Sequence, residues 1–401
     1  MMRVGFLAYS WDLLDEGPEA AIEQMAGRCG CDSLLLNAIY HHARLLRPRV
    51  EGPKLLDVPE AAAGFVPDPA RYPGALSPRA DRRVVEGRVL ARAREASARR
   101  GMDFGLWIVG LHNSTLGRSY PPATMVNCFG DRYEYALCPS SEAAQLYLRG
   151  LVADAVGQFA PDRIVLEAVG HLGMRHGLHH EMFFVSWSQS LELLLSLCFC
   201  DSCASRGAQH GVDVEALRLK VRTWAEHLLR EERGSLSDEF RAGEAASLLA
   251  QVPGLAQYLA VRAETIAELV AELSKTARAE GVQLEVIPAS FHRPTSQAWL
   301  EGVSLDRLSA SCGGLLVPAY WRSPAEVTAD LEWAASLAQG AALSAGLNAC
   351  DPGLSGPASL TELTRACQAA GCGAVYYYNY GLLTERRLDW VAAANRAARK
   401  D

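Results

Sequence analysis

Eight short apolar runs, each followed by a longer amphipathic stretch, constrain this chain more than any other feature. The runs are Arg3–Ala8, Ser33–Asn37, Phe104–Val109 and Arg163–Ala168 in the first half. Gln283–Pro288, Gly314–Pro318, Ala342–Gly346 and Ala374–Tyr378 follow in the second. They are mostly unbroken rather than alternating, as parallel strands covered on both faces require. Helical patterns such as Pro18–Arg28, Ala80–Arg100, Ser141–Phe159 and Pro324–Ala338 lie between them. Capping signals at Ser140-Ser141-Glu142 and Ser323-Pro324 open the last two. Eight alternations favour a closed (β/α)8 TIM barrel over an open sheet. The 401 residues suit one barrel of about 250 residues enlarged by insertions.

The spacing places those insertions. Glu51 to Pro78 and His112 to Cys138 read as long loops after the second and third strands. The largest departure, 171–280, contains a cysteine cluster and two long helical patterns, Val214–Leu236 and Gln257–Glu280. It reads as a helical insertion after strand four within a single domain, 1–401. The long helices also suggest a homo-oligomer.

Composition excludes several classes. A net charge of -7 with no basic stripe argues against nucleic acid as a partner. Apolar runs stop short of the ~18 residues a membrane span needs. The apolar start reads as a first strand rather than an export signal, so a cytoplasmic protein is expected. Phosphate-cradling glycine loops and a G-x-S-x-G elbow are absent from the sequence.

The cysteines number 11, an odd count that leaves spacing to decide their role. Cys198-Phe199-Cys200-Asp201-Ser202-Cys203 is a C-x-C-x-x-C segment, which can turn three thiols toward one point. Zinc requires a fourth ligand in a closed tetrahedral site; Cys138 is the first candidate and Cys128 the second. Core packing and redox chemistry are the competing readings of the triple. Core packing suits Cys29, Cys31, Cys312, Cys350, Cys367 and Cys372.

The cysteine pattern resembles that of family 42 glycoside hydrolases, β-galactosidases on a clan A barrel. Phe129-Gly130-Asp131-Arg132, then Cys138-Pro139-Ser140-Ser141, then Cys198, Cys200 and Cys203 are similar in order and in position relative to strands. The likeness covers residues 100–205. It implies a structural zinc on Cys138, Cys198, Cys200 and Cys203, pinning the strand-four excursion to the loop after strand three.

Barrel enzymes carry their chemistry on loops at the carboxyl ends of the strands. Candidates there are Trp11, Asp12, His41, His112, Asn113, His171, Tyr320, Trp321, Asn348, Asn379 and Tyr380. Aromatic platforms with amides and imidazoles suit a small-molecule carbohydrate, which has apolar ring faces and hydroxyl edges. Glu167 ends an apolar run, where a carboxylate is costly unless paired or functional. A structural ion pair is its alternative role. The clan A likeness implies that Glu167 is the general acid/base. Two departures stand against full transfer. Leu166 precedes Glu167 where the family has asparagine, and strand seven ends without its nucleophilic glutamate. The shorter Asp351 is the candidate second carboxylate there, with Glu181 or Asp12 as substitutes.

His171, His176, His179 and His180 with Glu181 form a dense group suited to hydroxyl contacts or general base work. The leading expectation is a hydrolase of glycosidase type in carbohydrate metabolism. A sugar isomerase or lyase is the first rival, with Glu285 and His292 as its nearest metal ligands. A carbohydrate-binding pseudoenzyme is the second.

Overall fold

A computed structural model describes residues 2–175, 181–230, 238–338 and 340–399. His176, His179 and His180 lie outside the described residues.

Eight parallel strands close into a barrel wrapped by helices. They are β1 (Arg3–Ala8), β2 (Ser33–Tyr40), β3 (Asp103–Val109), β4 (Arg163–Glu167), β5 (Gln283–Val286), β6 (Gly314–Pro318), β7 (Ala342–Asn348) and β8 (Ala374–Tyr378). Each pairs with its sequence neighbour, and β1 closes the ring by pairing with both β2 and β8. This is the expected (β/α)8 architecture. Both segments read as loops contain strand: Leu55–Val58 pairs with Ala43–Leu46 just before the first segment, and Thr124–Val126 pairs with Arg132–Leu137 within the second. Short polar-apolar alternation such as Arg132–Leu137 carries too few residues to stand out from a loop.

The excursion after β4 contains helices Gln189–Ser196, Asp201–Gln209, Val214–Arg230 and Asp238–Gln251. The next helix, Leu255–Ala279, packs against β5 and against the ring helices Glu142–Phe159 and Leu305–Ser311. It therefore belongs to the outer ring. Among the described residues, no helix is long and apolar enough to cross a membrane.

Alternation along the strands divides the core in two. Phe6, Leu34, Leu106, Ile164, Leu315 and Val375 point outward to the helices. Leu7, Leu35, Trp107, Val165, Leu316 and Tyr376 point into the barrel. At one level the interior is charged. Arg163 donates to Asp103 at 2.9 Å and to Glu285 at 2.6 Å. Ser33, Ser344 and Tyr376 complete this network. Gly105 makes room for it, because a Cβ there would lie 2.7 Å from Cγ of Arg163. Arg163→Met would leave the buried Glu285 without its cation, while Asp103 keeps Arg3, a loss of about 3–5 kcal/mol. At about 2–4 °C per kcal/mol, thermal melting is expected to fall by roughly 10 °C. An unchanged melting temperature would show that the network contributes nothing.

Candidate active site

The register of β4 decides where Glu167 points. Arg163, Val165 and Glu167 share one face, and the first two are inside the barrel. Glu167 therefore enters the interior at the carboxyl end of the strands. There its Oε2 accepts a 2.7 Å hydrogen bond from the indole Nε1 of Trp107 on β3. Ala168, immediately after it, adopts φ 55°, a left-handed conformation costly for a residue with a Cβ. Its amide donates to Ser290 Oγ at 3.1 Å, which fixes the turn behind the carboxylate.

Aromatic rings surround this carboxylate. Trp107 stacks on Tyr9 at 5.5 Å between centroids. The Tyr9 hydroxyl lies 3.0 Å from that of Tyr40 and 2.6 Å from that of Tyr378. Trp11 stacks on Tyr9 at 4.9 Å. Tyr40 stacks on His41 at 4.1 Å, and His41 on His112 at 3.9 Å. Phe291 meets His112 at 5.8 Å. Tyr320 packs 5.6 Å from Tyr378, and the Arg293 guanidinium lies 4.9 Å above the Tyr320 ring. Tyr40, His41, Glu167, Phe291, Arg293, Tyr320 and Tyr378 are all partly exposed, so the basin opens to solvent.

Electrostatics follow from this enclosure. Burial pushes the Glu167 carboxyl up to about 7. The Trp107 hydrogen bond opposes the rise, nearby Glu301 adds to it, and Arg293 opposes it again. Burial also raises Tyr378 to about 12, so its hydroxyl keeps its proton at neutral pH. Glu301 itself is 2% exposed and accepts from the amides of Ser290, Phe291 and His292 at 2.9–3.0 Å. His292 Nδ1 sits 3.0 Å from Glu301, and its Nε2 sits 3.7 Å from Glu192. Burial works against a charge on His292, but the two carboxylates outweigh it and push the imidazole up to about 9. A carboxylate–imidazolium–carboxylate clamp thus fixes the β5 loop that carries Arg293 and Phe291.

The residues expected at the rim divide into two groups. Trp11, His41, His112 and Tyr320 belong to the ring network that includes Trp107, the hydrogen-bond partner of Glu167. Others are directed elsewhere by specific bonds. Asn113 caps helix Ser114–Ser119 by accepting from Leu116 at 2.9 Å. Trp321 turns to helix Pro324–Leu337, donating to Asp330 at 2.8 Å. Asn348 and Asn379 accept from the amides of Cys350 and Gly381, shaping their own turns. Tyr380 is buried against Phe6, with its hydroxyl 2.8 Å from Glu16. Asp12 accepts from the Tyr9 amide at 3.1 Å beneath a separate cleft lined by Glu16, Arg49 and Glu385. Burial raises its carboxyl to about 7, against the pull of the Tyr9 amide. Asp351 is gripped by Arg322 at 2.7 and 2.8 Å, which holds its carboxyl below the usual range. Trp107, Glu192 and Glu301 were not among the expected residues. Counting alternate positions back from Val109 flags Trp107 as inward-facing; nothing local in the sequence marks the two glutamates.

His171 belongs to a different centre. It is fully buried with Nε2 3.8 Å from Cys203 Sγ. The sulfurs of Cys138, Cys198, Cys200 and Cys203 all lie within 4.8 Å of one another and are buried. Cys138 Sγ is 3.3 Å from Cys203, 3.6 Å from Cys200 and 3.8 Å from Cys198. A tetrahedral ion with bonds of about 2.3 Å sets its sulfurs about 3.8 Å apart, so the quartet fits a thiolate-bound metal. Cys138 follows the hairpin strand Arg132–Leu137, and Cys200 caps helix Asp201–Gln209. The Val126 amide donates to Cys198 Sγ at 3.4 Å. Burial works against the charge of Arg262, and Cys203, Cys198 and Cys138 offset part of that cost. Cys128 is buried outside the quartet.

No family model and no curated protein matches this sequence. Solved structures do resemble its fold. An α-L-fucosidase isoenzyme from Paenibacillus thiaminolyticus aligns over 99% of this chain and 49% of its own, with 12% identity and a TM-score of 0.53. A β-galactosidase from Halorubrum lacusprofundi aligns over 100% and 58%, with 13% identity and a TM-score of 0.58. The chain thus spans about half of these two proteins. A glycoside hydrolase domain of PgaB from Bordetella bronchiseptica aligns over 100% of this chain and 97% of its own, with 15% identity and a TM-score of 0.53. At such identities the likeness is one of fold: this chain is similar to the barrels of glycoside hydrolases.

Proposed function

We propose that this chain is a glycosidase-like enzyme that cleaves a glycosidic bond in a small glycoside or oligosaccharide, with Glu167 as general acid/base. One observation carries the reading. A carboxyl raised to about 7 stands at the end of β4 inside an open aromatic basin. A carboxyl that keeps its proton near neutrality can protonate a departing glycosidic oxygen. The surrounding rings supply platforms for the apolar faces of a sugar. The fold neighbours and the family 42 resemblance support this choice among barrel chemistries.

Asp351 remains the candidate second carboxylate of this reading, although Arg322 holds both of its oxygens. With both oxygens engaged and its proton affinity lowered, Asp351 is a weak base and a poor nucleophile unless Arg322 releases it. That same grip is the observation favouring the second reading, a carbohydrate-binding pseudoenzyme. The isomerase reading loses ground because its ligands are committed: Glu285 to Arg163, and His292 to Glu192 and Glu301. The cysteine quartet holds a structural zinc in this reading, tying the excursion to the hairpin after β3. Zinc there would supply cross-linking and no step of the reaction.

The test is the pH dependence of hydrolysis of aryl glycosides. Glu167 must be protonated to act as the acid, so kcat/KM is expected to fall above about pH 7, tenfold per unit. A rate that stays flat to pH 9 would remove Glu167 from the acid role. Failure to turn over any glycoside while binding sugar would select the pseudoenzyme.

A further inference from the structure

Arg293 is the cation of the basin. It follows His292 on the β5 loop, which the Glu301 bonds hold rigidly. Its guanidinium rests 4.9 Å above Tyr320, whose ring packs against Tyr378. Stacking on an aromatic face leaves the planar edge of a guanidinium, with its N–H donors, free to bind. Among the described residues Arg293 makes no ion pair, although carboxylates are near. Glu301 is saturated by three amides and His292. Asp351 is taken by Arg322. Arg322 is therefore neutralised and Arg293 is not. Glu167 cancels it only in part near neutral pH, since burial keeps much of that carboxyl protonated. The basin therefore presents a guanidinium fork without a direct carboxylate partner beside its aromatic platforms.

We propose that Arg293 makes the basin selective for a sugar that bears an oxyanion, either the carboxylate of a uronic acid or a phosphate ester. This rests on the glycosidase reading for the reaction and extends it to substrate class. A guanidinium binds carboxylate and phosphate alike through paired, charge-assisted hydrogen bonds. A neutral hexose offers the same ring face to Tyr320 and Tyr378 but nothing to the fork.

Calorimetric titration of the full-length protein tests this with D-glucuronate, D-galacturonate, glucose 6-phosphate, glucose and galactose. At least one anionic sugar is expected to bind about 10-fold or more tighter than its neutral counterpart. The uronate and phosphate arms identify the source of the oxyanion. Arg293→Ala and Arg293→Gln are expected to abolish that preference, and Arg293→Lys to retain part of it. The preference should also shrink as salt is raised. Melting temperatures within a few degrees of wild type establish that the variants fold. Equal binding of charged and neutral sugars overturns the proposal, as does failure of every anionic sugar to bind. A preference that survives Arg293→Ala also overturns it. Turnover separates the two ideas. Hydrolysis of neutral glycosides with no preference for uronides or phosphorylated glycosides keeps the glycosidase reading and removes this one. Arg293-dependent binding of uronate without turnover of any glycoside does the reverse.

Discussion

Glu167→Gln is expected to lower kcat/KM on an aryl glycoside by about 10²–10⁴, the usual contribution of a positioned general acid. Glutamine keeps the shape of the side chain and can still accept from Trp107 Nε1 through its carbonyl oxygen. The fold should therefore survive, and the pH dependence of stability reveals why. A carboxyl raised from its ordinary value to about 7 favours the folded state only while protonated. Its contribution is fully present below the unfolded value and is lost as pH rises through about 7. At pH 8 the wild type carries a partly buried charge that the variant lacks. Glu167→Gln should be the more stable protein there, by about 1–3 kcal/mol, with the difference vanishing toward pH 4. Two measurements decide the matter: turnover at pH 6 and thermal melting at pH 5 and pH 8. Retained turnover removes Glu167 from the chemistry. A variant less stable than wild type at pH 8 would mean that the carboxylate is a structural partner.

Removal of metal has the second large expected effect. One zinc per chain is expected by elemental analysis of protein purified without chelator. A closed thiolate site contributes folding energy directly, because the unfolded chain does not hold its ligands together; zinc-finger peptides gain on the order of 10 kcal/mol. Even a third of that corresponds to roughly a 10 °C fall in melting temperature at about 2–4 °C per kcal/mol. Cys200→Ser should reproduce the effect of a strong chelator, and the chelator should do nothing further to the variant. Cys128→Ser, outside the quartet, should retain the metal. Protein that melts identically with and without chelator and contains no metal would return the quartet to buried thiols.

The cysteine quartet and the strand ends were readable before any tertiary structure, and the misplaced side chains have a common cause. Cys198, Cys200 and Cys203 are close in sequence, so a tight turn alone brings them together. Cys138 had to be chosen over Cys128, and the hairpin ending at Leu137 decides between them. Glu167, Trp11, His41, His112 and Tyr320 were legible because each follows a strand that could be counted. Trp321, Tyr380 and Asn113 follow strands equally well. Position after a strand places a residue at the correct end of the barrel but leaves its direction open. One bond each, to Asp330, Glu16 and Leu116, turns these three away from the basin. His171 shows the same ambiguity on a larger scale. It follows β4 as a rim residue should, yet its ring packs beside Cys203.

By itself the sequence determined the architecture, because the period of apolar residues is a local property and eight repeats of it admit few closed arrangements. It also determined three of the four thiols and the strand end on which the key carboxylate stands. Only tertiary structure decided the company each group keeps. Trp107 meets Glu167 across a strand pair sixty residues apart, Glu192 and Glu301 converge on His292 from two different helices, and Arg322 rather than Arg293 pairs with Asp351. Proton affinity and free charge arise from those long-range neighbours through burial and Coulomb interaction, neither of which has a signature along the chain.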